Sequence, residues 1–371
     1  MNGGVIKTDR LWNNPIQAPR SGRSVMQSGI RVSLLWMTLL LISCATTDVG
    51  QKKTERFWPL PPDPPVIAYL SSFSDPKDLG AKRGWFRRTV EFLFGETAVP
   101  HMLRPYAVAT DGKGRVYVTD TGLQAVHIYD FPAKRYQQIF WITRGQSRLM
   151  SPVGIALDEN GMIYVSDSQL NRIFIYEPKK RRWVGTLGES GQFQRLTGIA
   201  YHPRLHRLYA VDTAAHQVTV FDLSGKSVTT FGRRGDKDGE LNFPTHITID
   251  SQGLLYITDS MNFRVQIFDP EGTFEGKLGR LGNTLGSFSK PKGVAVDAAG
   301  HIFVVDGIYD TVQIFNRNGE LLMNFGKTGE KEGDFWLPAG IAIDSRNRIY
   351  VADTYNKRVA VFQFLGEPKL Q

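Results

Sequence analysis

The stretch Pro338-Ala-Gly-Ile-Ala-Ile-Asp344, with Ile349-Tyr-Val-Ala-Asp353 and Asn356-Lys-Arg-Val-Ala-Val-Phe362 after it, decides the fold of this 371-residue chain. Each piece is a short apolar run that stops at a polar residue or a turn, which is typical of β-strands. The pieces are too short and too closely spaced to be helices. A single unit of this kind could not bury both faces of its sheet, so its recurrence along the chain matters.

Two landmarks of this unit recur with one period. The aspartate that ends the second piece returns after 47, 45, 47, 47 and 47 residues, at Asp120, Asp167, Asp212, Asp259, Asp306 and Asp353. The proline before the Gly-apolar-Ala run recurs at Pro105, Pro152, Pro244, Pro291 and Pro338, and Thr197 is assigned to its place in the third unit. Agreement between two landmarks predicts six structural repeats.

Each repeat has room for four strands. In the fifth repeat, strands are predicted at 293–297, 301–305, 311–315 and 320–325, separated by turns that contain Gly300 and Gly319. Four-stranded antiparallel sheets of this length bury their faces by radial stacking. The sequence therefore predicts an all-β fold, a six-bladed β-propeller over residues 101–365.

The ends of the chain predict how the ring closes. The sixth repeat stops at Phe364 without a fourth strand, while the run Val66–Phe73 has strand character and precedes the first repeat. We expect segment 66–78 to complete the last blade. The Pro-rich segment 45–65 before it suits a stiff tether, or alternatively a segment lying along the rim of the propeller.

The repeat resembles the NHL repeat family over residues 103–364, with its best copies in the pieces quoted above and in Asp259-Ser-Met-Asn-Phe-Arg-Val-Gln-Ile-Phe268. His202 replaces the aspartate that ends the first strand in other repeats. The resemblance implies a propeller that binds partners through its loops. Some similar propellers are metal-dependent lyases, and others bind nucleic acid.

The N-terminus predicts export and a lipid anchor. Arg31 precedes an apolar run of about eleven residues that ends in Leu41-Ile-Ser-Cys44, too short to span a bilayer but suited to a signal peptide. This ending resembles a bacterial lipobox, which implies that the signal peptide is cleaved before Cys44, the single cysteine, and that Cys44 is acylated. Met26 is the better initiator. Ala45 favours the outer membrane facing the periplasm over the outer leaflet of the inner membrane.

Charge argues against nucleic acid as a partner. The formal charge is +9, but residues 1–44 hold five basic residues against one acidic, which leaves 40 basic and 35 acidic residues in the remainder. Phosphate binding needs a concentrated basic face. Lys179-Lys-Arg-Arg182 falls at a predicted turn and is interpreted as a solvated loop. Segment 79–100 is an amphipathic insertion that suits either a propeller face or a membrane interface.

Two sets of recurring polar residues are candidates for binding. The six strand-end aspartates favour a turn-capping role over a metal site, because caps recur with the turn they stabilise. Arginine follows this aspartate by five residues in alternate repeats, at Arg172, Arg264 and Arg358. These arginines either pair with the aspartate of their own blade or surround one mouth of the channel and attract an anion.

The first strand of the fourth repeat departs from the others. His246 stands where the other repeats have glycine or alanine, and Thr248 replaces an alanine two residues later. Positions i and i+2 of a strand share a face, so both side chains are expected near the axial channel. They are the best candidate ligand-binding residues, although a histidine packed between blades is the alternative.

No catalytic constellation is found in the sequence. The other histidines lack metal-ligand spacing, and neither a nucleophile elbow nor a phosphate loop is present. No metal or other cofactor is predicted. The sequence favours a monomeric binding scaffold of the cell envelope, held to the membrane by its lipid, with a protein or polymer partner. A metal-dependent lyase or hydrolase with its site in the channel is the alternative.

Overall fold

A computed structural model describes residues 56–80, 101–143 and 145–366. The predicted signal peptide with Cys44, residues 45–55 of the tether and residues 81–100 of the insertion lie outside this range. Within it, the structure consists of strands and two short 3-10 helices, Pro76–Leu79 and Ser260–Asn262. Neither helix is long or apolar enough to span a bilayer.

The strands form six sheets of similar size, one per repeat. Strands β1 and β2 precede the first repeat, and a small hairpin, β7 and β8, joins the first two blades. These four are β1 (Phe57–Trp58), β2 (Ile67–Phe73), β7 (Trp141–Thr143) and β8 (Ser147–Arg148). The strands of blades 1 and 2 are β3 (Pro105–Thr110), β4 (Arg115–Asp120), β5 (Ala125–Asp130), β6 (Arg135–Ile139), β9 (Pro152–Leu157), β10 (Ile163–Asp167), β11 (Arg172–Glu177) and β12 (Arg182–Leu187).

The remaining blades repeat this order. Blades 3 and 4 contain β13 (Leu196–His202), β14 (Arg207–Asp212), β15 (Gln217–Asp222), β16 (Ser227–Phe231), β17 (Pro244–Ile249), β18 (Leu255–Asp259), β19 (Arg264–Phe268) and β20 (Phe274–Leu278). Blades 5 and 6 contain β21 (Pro291–Val296), β22 (Ile302–Asp306), β23 (Thr311–Phe315), β24 (Leu321–Phe325), β25 (Ile341–Ile343), β26 (Arg348–Asp353) and β27 (Arg358–Phe364). In every blade consecutive strands pair antiparallel, which confirms the predicted six-bladed propeller.

The N-terminal strand closes the ring, as predicted. β2 pairs antiparallel with β27, from Ile67 opposite Phe364 to Phe73 opposite Val359, and so supplies the fourth strand of blade 6. The short 3-10 helix Pro76–Leu79 follows β2. Asp75 caps this helix, and its carboxylate accepts a hydrogen bond from the Lys77 amide. The first and last repeats are thereby held in neighbouring positions.

The described part of the Pro-rich segment lies along the propeller. β1 pairs with β2 as a fifth strand of blade 6. The Trp58 ring lies 6.0 Å from Phe325 and 5.9 Å from Phe362, and the Arg56 guanidinium is 3.0 Å from the Asp334 carboxylate. Of the two interpretations of segment 45–65, the rim position is the one that residues 56–65 adopt.

The structure corrects one position of the repeat alignment. In the third blade the residue opposite Asp212 is Leu196, and Thr197 follows it. In the second blade the corresponding residue, opposite Asp167, is Pro152. The shorter connection before blade 3 shifted the sequence alignment by one residue. Leucine is accommodated here because its amide donates a hydrogen bond to the Asn171 side chain at 3.0 Å, a donor that proline lacks.

Apolar clusters fill the spaces between successive blades. Each cluster joins side chains of two neighbouring sheets, and a large apolar side chain from the connection before each first strand is buried in it. These six side chains, each 4% exposed or less, are Met102, Leu149, Phe193, Leu241, Phe288 and Phe335. This apolar position is a third landmark of the repeat. It recurs three residues before the landmark proline, or before Leu196 in blade 3.

At five of the six junctions between blades, a hydroxyl group near the end of the second strand donates a hydrogen bond to a carbonyl of the next blade. Thr354 of blade 6 donates to the Pro105 carbonyl of blade 1 at 2.8 Å, which fixes the closing seam. The equivalent bonds join Thr119 to Val153, Ser166 to Thr197, Thr213 to Pro244 and Thr258 to Lys292. Blade order is thus held by specific polar contacts as well as by apolar packing.

Shortening Ile67 tests the contribution of the closing strand to stability. This side chain is fully buried in the cluster between blades 5 and 6. We expect Ile67→Ala to lower the free energy of unfolding by about 2–5 kcal/mol through the cavity it leaves. Urea unfolding of the whole chain measures the change. Leu60→Ala, at a side chain that is 72% exposed in the preceding Pro-rich segment, serves as control and should change stability little. Equal effects of the two variants would show that β2 does not hold the ring closed.

Candidate functional site

The strand-end aspartates are structural caps. All six are fully buried. Asp120 is representative: its carboxylate accepts hydrogen bonds from the amides of Leu103 at 2.7 Å and Arg104 at 3.0 Å, before the first strand, and of Gly122 and Leu123 in the following turn. One carboxylate therefore joins the entry of a blade to its second hairpin. The predicted capping role is confirmed.

Arg264 and Arg358 pair with the aspartates of their own blades. The Nε of Arg264 donates to Asp259 at 2.8 Å, and its Nη2 donates to the carbonyls of Lys237 and Glu240. Arg358 makes the equivalent bond to Asp353, also at 2.8 Å. Both guanidinium groups are thus engaged in holding the connection between blades. They are not available to an anion at the channel mouth.

Arg172 differs from the other two arginines. It lies opposite Asp167 in the register of blade 2. No ion pair or side-chain hydrogen bond joins it to another residue in the described ranges. The predicted pairing therefore holds for two arginines of the three, and the three do not form one ring of free cations.

The first strands of the blades enclose a narrow channel along the axis. Neighbouring strands approach closely where the repeat has glycine: a Cβ on Gly198 would lie 2.6 Å from the Thr245 carbonyl, and one on Gly340 would lie 2.5 Å from the Tyr106 carbonyl. At these two positions glycine fits because the neighbouring backbone leaves little space for a side chain. Blade 1 has Ala107 at the equivalent position, and blade 4 has His246, whose imidazole lines the narrow recess on the axis.

His246 fills the channel together with a residue from the opposite blade. Its ring stacks on Tyr106 of blade 1, with centroids 5.5 Å apart and planes at 19°. Its Nδ1 is hydrogen-bonded to the Thr245 hydroxyl at 3.0 Å, which in turn is 2.8 Å from the Ser260 hydroxyl. Its Nε2 is inaccessible and has no hydrogen-bond partner among the described residues. The histidine is thus packed in the channel, with one buried ring nitrogen that forms no hydrogen bond to the described residues.

The channel keeps His246 neutral. Burial, and to a smaller extent the charge of Lys292, lower the pKa of His246 to about 3. Burial also lowers the pKa of Lys292 to about 8, with a further contribution from Lys290. A neutral imidazole can donate or accept a hydrogen bond but attracts no anion by charge.

Thr248 lines a different recess from His246. The narrow recess beside His246 and Tyr106 has a volume of about 60 Å³. Thr248 faces a wider one, of about 280 Å³, at the other mouth, where the first strands end. Sites for small molecules usually measure roughly 300–1,000 Å³. The recess at His246 therefore has room for only a few water molecules. His246 and Thr248 do not line a single pocket.

Metal ligands do not converge within the described ranges. No three histidine, cysteine, aspartate or glutamate side chains of residues 56–80, 101–143 and 145–366 are placed to hold a metal ion. His246 therefore has no partner ligand in the part of the channel that the structure describes.

Two of the six repeats match a known family. The model of the NHL repeat matches residues 241–268 and 335–362, which include the second and third strands of blades 4 and 6. The chain contains NHL repeats. None of the curated proteins compared is significantly similar to it in sequence.

Solved structures share the propeller fold at low sequence identity. A structural genomics protein of unknown function from Bacteroides thetaiotaomicron superposes with a TM-score of 0.57 at 14% identity, over 72% of this chain and 70% of that one. An auxiliary nutrient binding protein from the same organism gives 0.56 at 17% identity, over 70% and 69%. A streptogramin B lyase gives 0.53 at 14% identity, over 72% and 95%. The similarity is one of fold.

Sequence reasoning missed two side chains of the NHL propeller channel. Tyr106 and Lys292 occupy the position before the small residue of the first strand, where other repeats have valine, threonine or alanine. The sequence signal for these two residues was the variation, from repeat to repeat, at the position between the landmark proline and the small residue of the first strand. It was overlooked because the neighbouring glycine position showed the larger change.

Replacing His246 tests its neutral, buried state. A base whose pKa is lower in the folded protein than in the unfolded chain costs stability as the pH falls below its unfolded value, about 6.5. Between pH 7.5 and pH 5 we expect the wild type to lose about 2 kcal/mol more stability than His246→Phe. Urea unfolding at both pH values measures this difference. His101→Gln, at an exposed histidine, is the control and should follow the wild type. Parallel pH dependence of His246→Phe and wild type would mean that the imidazole is protonated in the folded protein.

Proposed function

We propose that the protein is a lipid-anchored binding scaffold of the bacterial cell envelope, which holds a protein partner on one face of its NHL propeller. The observation that carries the proposal is a set of exposed apolar side chains on the face that bears the turns between second and third strands and the connections into the first strands. We call this the turn face. Isolated exposed apolar residues are ordinary on protein surfaces, but a set gathered on one face marks an interaction surface.

The turn face collects apolar side chains from five of the six blades. They stand in the turn that follows the strand-end aspartate or just before the first strand. Those that are more than a third exposed are Leu103, Leu170, Phe243, Met261, Ile308, Tyr309, Trp336 and Tyr355. The strand-end aspartates fix both the turn and the connection, so these side chains project from a rigid base.

Trp336 and Tyr355 form an exposed aromatic pair on this surface. Their rings lie 5.7 Å apart, and the two side chains are 42% and 48% exposed. They border an open recess of about 560 Å³ beside Lys357 and Glu330. Tryptophan and tyrosine are the residues that dominate the energetics of protein interfaces, because they bury large rigid surfaces. An exposed aromatic pair next to polar side chains fits a protein partner.

The channel gives less support to a catalytic function. It is filled by Tyr106 and His246, and the wider mouth at Thr248 has no convergent acid, base or nucleophile among the described residues. The streptogramin B lyase and the auxiliary nutrient binding protein share this architecture although their names give them different functions, so the fold alone does not favour a reaction. We therefore favour binding over the metal-dependent lyase.

The anchor is supported by the sequence around Cys44. The short apolar run after Arg31 and the cysteine at its end fit processing and acylation. Each methylene buried in a membrane contributes about 0.8 kcal/mol, so several acyl chains would hold the propeller at the surface. An outer-membrane position facing the periplasm is the location we propose, with the outer leaflet of the inner membrane as the alternative.

Mass spectrometry of the mature protein from bacterial membranes tests the anchor. We expect an N-terminal peptide that begins at Cys44 and carries diacylglycerol. Cys44→Ser should release the protein into the soluble envelope fraction, while Ser43→Ala, a conservative change beside it, should leave it in the membrane. An unmodified N-terminus at another residue would contradict the anchor.

Site-specific photocrosslinking tests the turn face. We expect a photoreactive phenylalanine at Tyr355 to capture a discrete envelope protein in living cells, and Trp336→Ala to reduce that product at least tenfold. The same probe at Leu223, which is 41% exposed on the opposite face, is the matched control. Equal capture at both positions, or none at Tyr355, would contradict binding through the turn face.

A further inference from the structure

A groove runs along the outer edge of blades 1 and 2, apart from Trp336 and Tyr355. It follows β6 from the turn before β12 at one end to Trp141 at the other. Two recesses of about 550 and 360 Å³ form it, and they share Gln137 and Arg181. At about 3.4 Å per residue, β6 gives the groove a length of about 17 Å. This is the shape of a site for an extended chain.

The groove is strongly basic. Five of its lining side chains are cationic and one is acidic: Arg115, Arg135, Lys179, Arg181, Arg182 and Asp130. Arg115 and Arg135 each lie 3.4 Å from Asp130 and neutralise it. Among described residues Lys179, Arg181 and Arg182 form no ion pair, whereas the adjacent Lys180 is paired with Glu177 at 2.9 Å. Three exposed cations are therefore left for a ligand.

Aromatic side chains stand beside these cations. The indole Nε1 of Trp183 donates to the Trp141 carbonyl at 2.6 Å, which links the two blades across the groove. The Trp183 ring packs edge-on against Tyr176 at 5.1 Å, and Trp141 is held under the Arg148 guanidinium at 5.6 Å. Gln137 donates to the Tyr176 hydroxyl at 2.6 Å. The groove is thus preorganised, with fixed ring planes and amide groups along its length.

The turn that carries the cations closes on a residue with a left-handed backbone conformation. Arg181 closes the turn between the third and fourth strands with φ of 53°, a left-handed conformation. In blades 3, 4 and 5 the residue that closes this turn is Gly225, Gly272 or Gly319. A residue with a Cβ costs roughly 1 kcal/mol more than glycine in that conformation. Lys134 closes the equivalent turn of blade 1 in the same conformation, with φ of 49°, so the turns of both blades beside the groove end on a cationic residue.

We propose that the groove between blades 1 and 2 binds an acidic polysaccharide, a polymer of uronic-acid type. The planar guanidinium groups of Arg181 and Arg182 match the geometry of carboxylates and can bind them with two parallel hydrogen bonds. The exposed face of Trp141 offers an apolar plane on which the C–H face of a sugar ring can pack, and the Gln137 and Gln138 amides suit hydroxyl groups. A length of about 17 Å accommodates several sugar units.

This proposal goes beyond the scaffold function, because it assigns a second ligand to a different surface. Charge alone would also attract an acidic peptide or a nucleic acid. Aromatic planes combined with a shallow groove favour the polysaccharide. An exported scaffold with both sites would connect its protein partner to a polymer of the envelope.

Calorimetric titration of the full chain in detergent tests the groove. The probes are oligomers of galacturonate, guluronate and glucuronate, with a neutral dextran oligomer, poly-glutamate of equal charge and a single-stranded DNA as comparisons. We expect at least one uronate to bind, with an affinity that falls as salt is raised. The double variant Arg181→Gln and Arg182→Gln should weaken binding about tenfold, and Trp141→Ala should weaken it without changing the salt dependence.

Lys226→Gln is the matched control, since Lys226 is an exposed cation in the equivalent turn of blade 3. It should bind the uronate like the wild type, and all variants should keep the melting temperature of the wild type. Absence of binding to every uronate would overturn the proposal. So would equal affinity for poly-glutamate or DNA, or equal loss in Lys226→Gln.

Discussion

A buried carboxylate at the end of each second strand determines how one blade follows another. It accepts hydrogen bonds from amides on both sides, in the connection that enters the blade and in the hairpin that leaves the second strand, as at Asp120. Hydrogen bonds to a charged group each contribute about 1.5–3 kcal/mol, enough to offset much of the cost of burying the charge. Arg264 and Arg358 extend the same arrangement in blades 4 and 6 by attaching longer connections to it. The turn face is rigid because all these bonds converge beneath it.

The sequence predicted what is periodic. The recurring aspartates and prolines defined the six blades, and the missing fourth strand at Phe364 identified β2 as its replacement. The stacking of Tyr106 on His246 joins blades 1 and 4, and no local pattern indicates which side chains meet across a ring. The groove was missed for a related reason. Lys179–Arg182 is an ordinary charged turn in sequence, and its relation to Trp141 appears only when two outer strands lie side by side. Thr197 was misassigned because a shorter connection moved the landmark by one residue.

The six blades are similar in backbone but are used differently. The axis, often the place where propellers hold ligands, is closed here by the stacked pair of Tyr106 and His246, and burial keeps that histidine neutral. The surfaces that suit a ligand instead lie away from the axis. One is the turn face with its exposed aromatic pair at Trp336, and the other is the groove along β6 with its cations and indoles. Both surfaces rest on parts of the ring that carry many hydrogen bonds. Such an arrangement suits recognition of large partners, which do not need to enter a pocket.

The closure of blade 6 also has a consequence for folding. β2 is made before any of the six repeats, yet its partner β27 is the last strand to be made. A chain that emerges from its N-terminus must keep the edge of β2 unpaired until the final residues arrive. Pairing between such distant segments is slow, and exposed strand edges invite association with other chains. The pairing of the first strand with the last therefore leaves the incomplete chain open to association, and binding of a chaperone would protect it most in the interval before β27 is made.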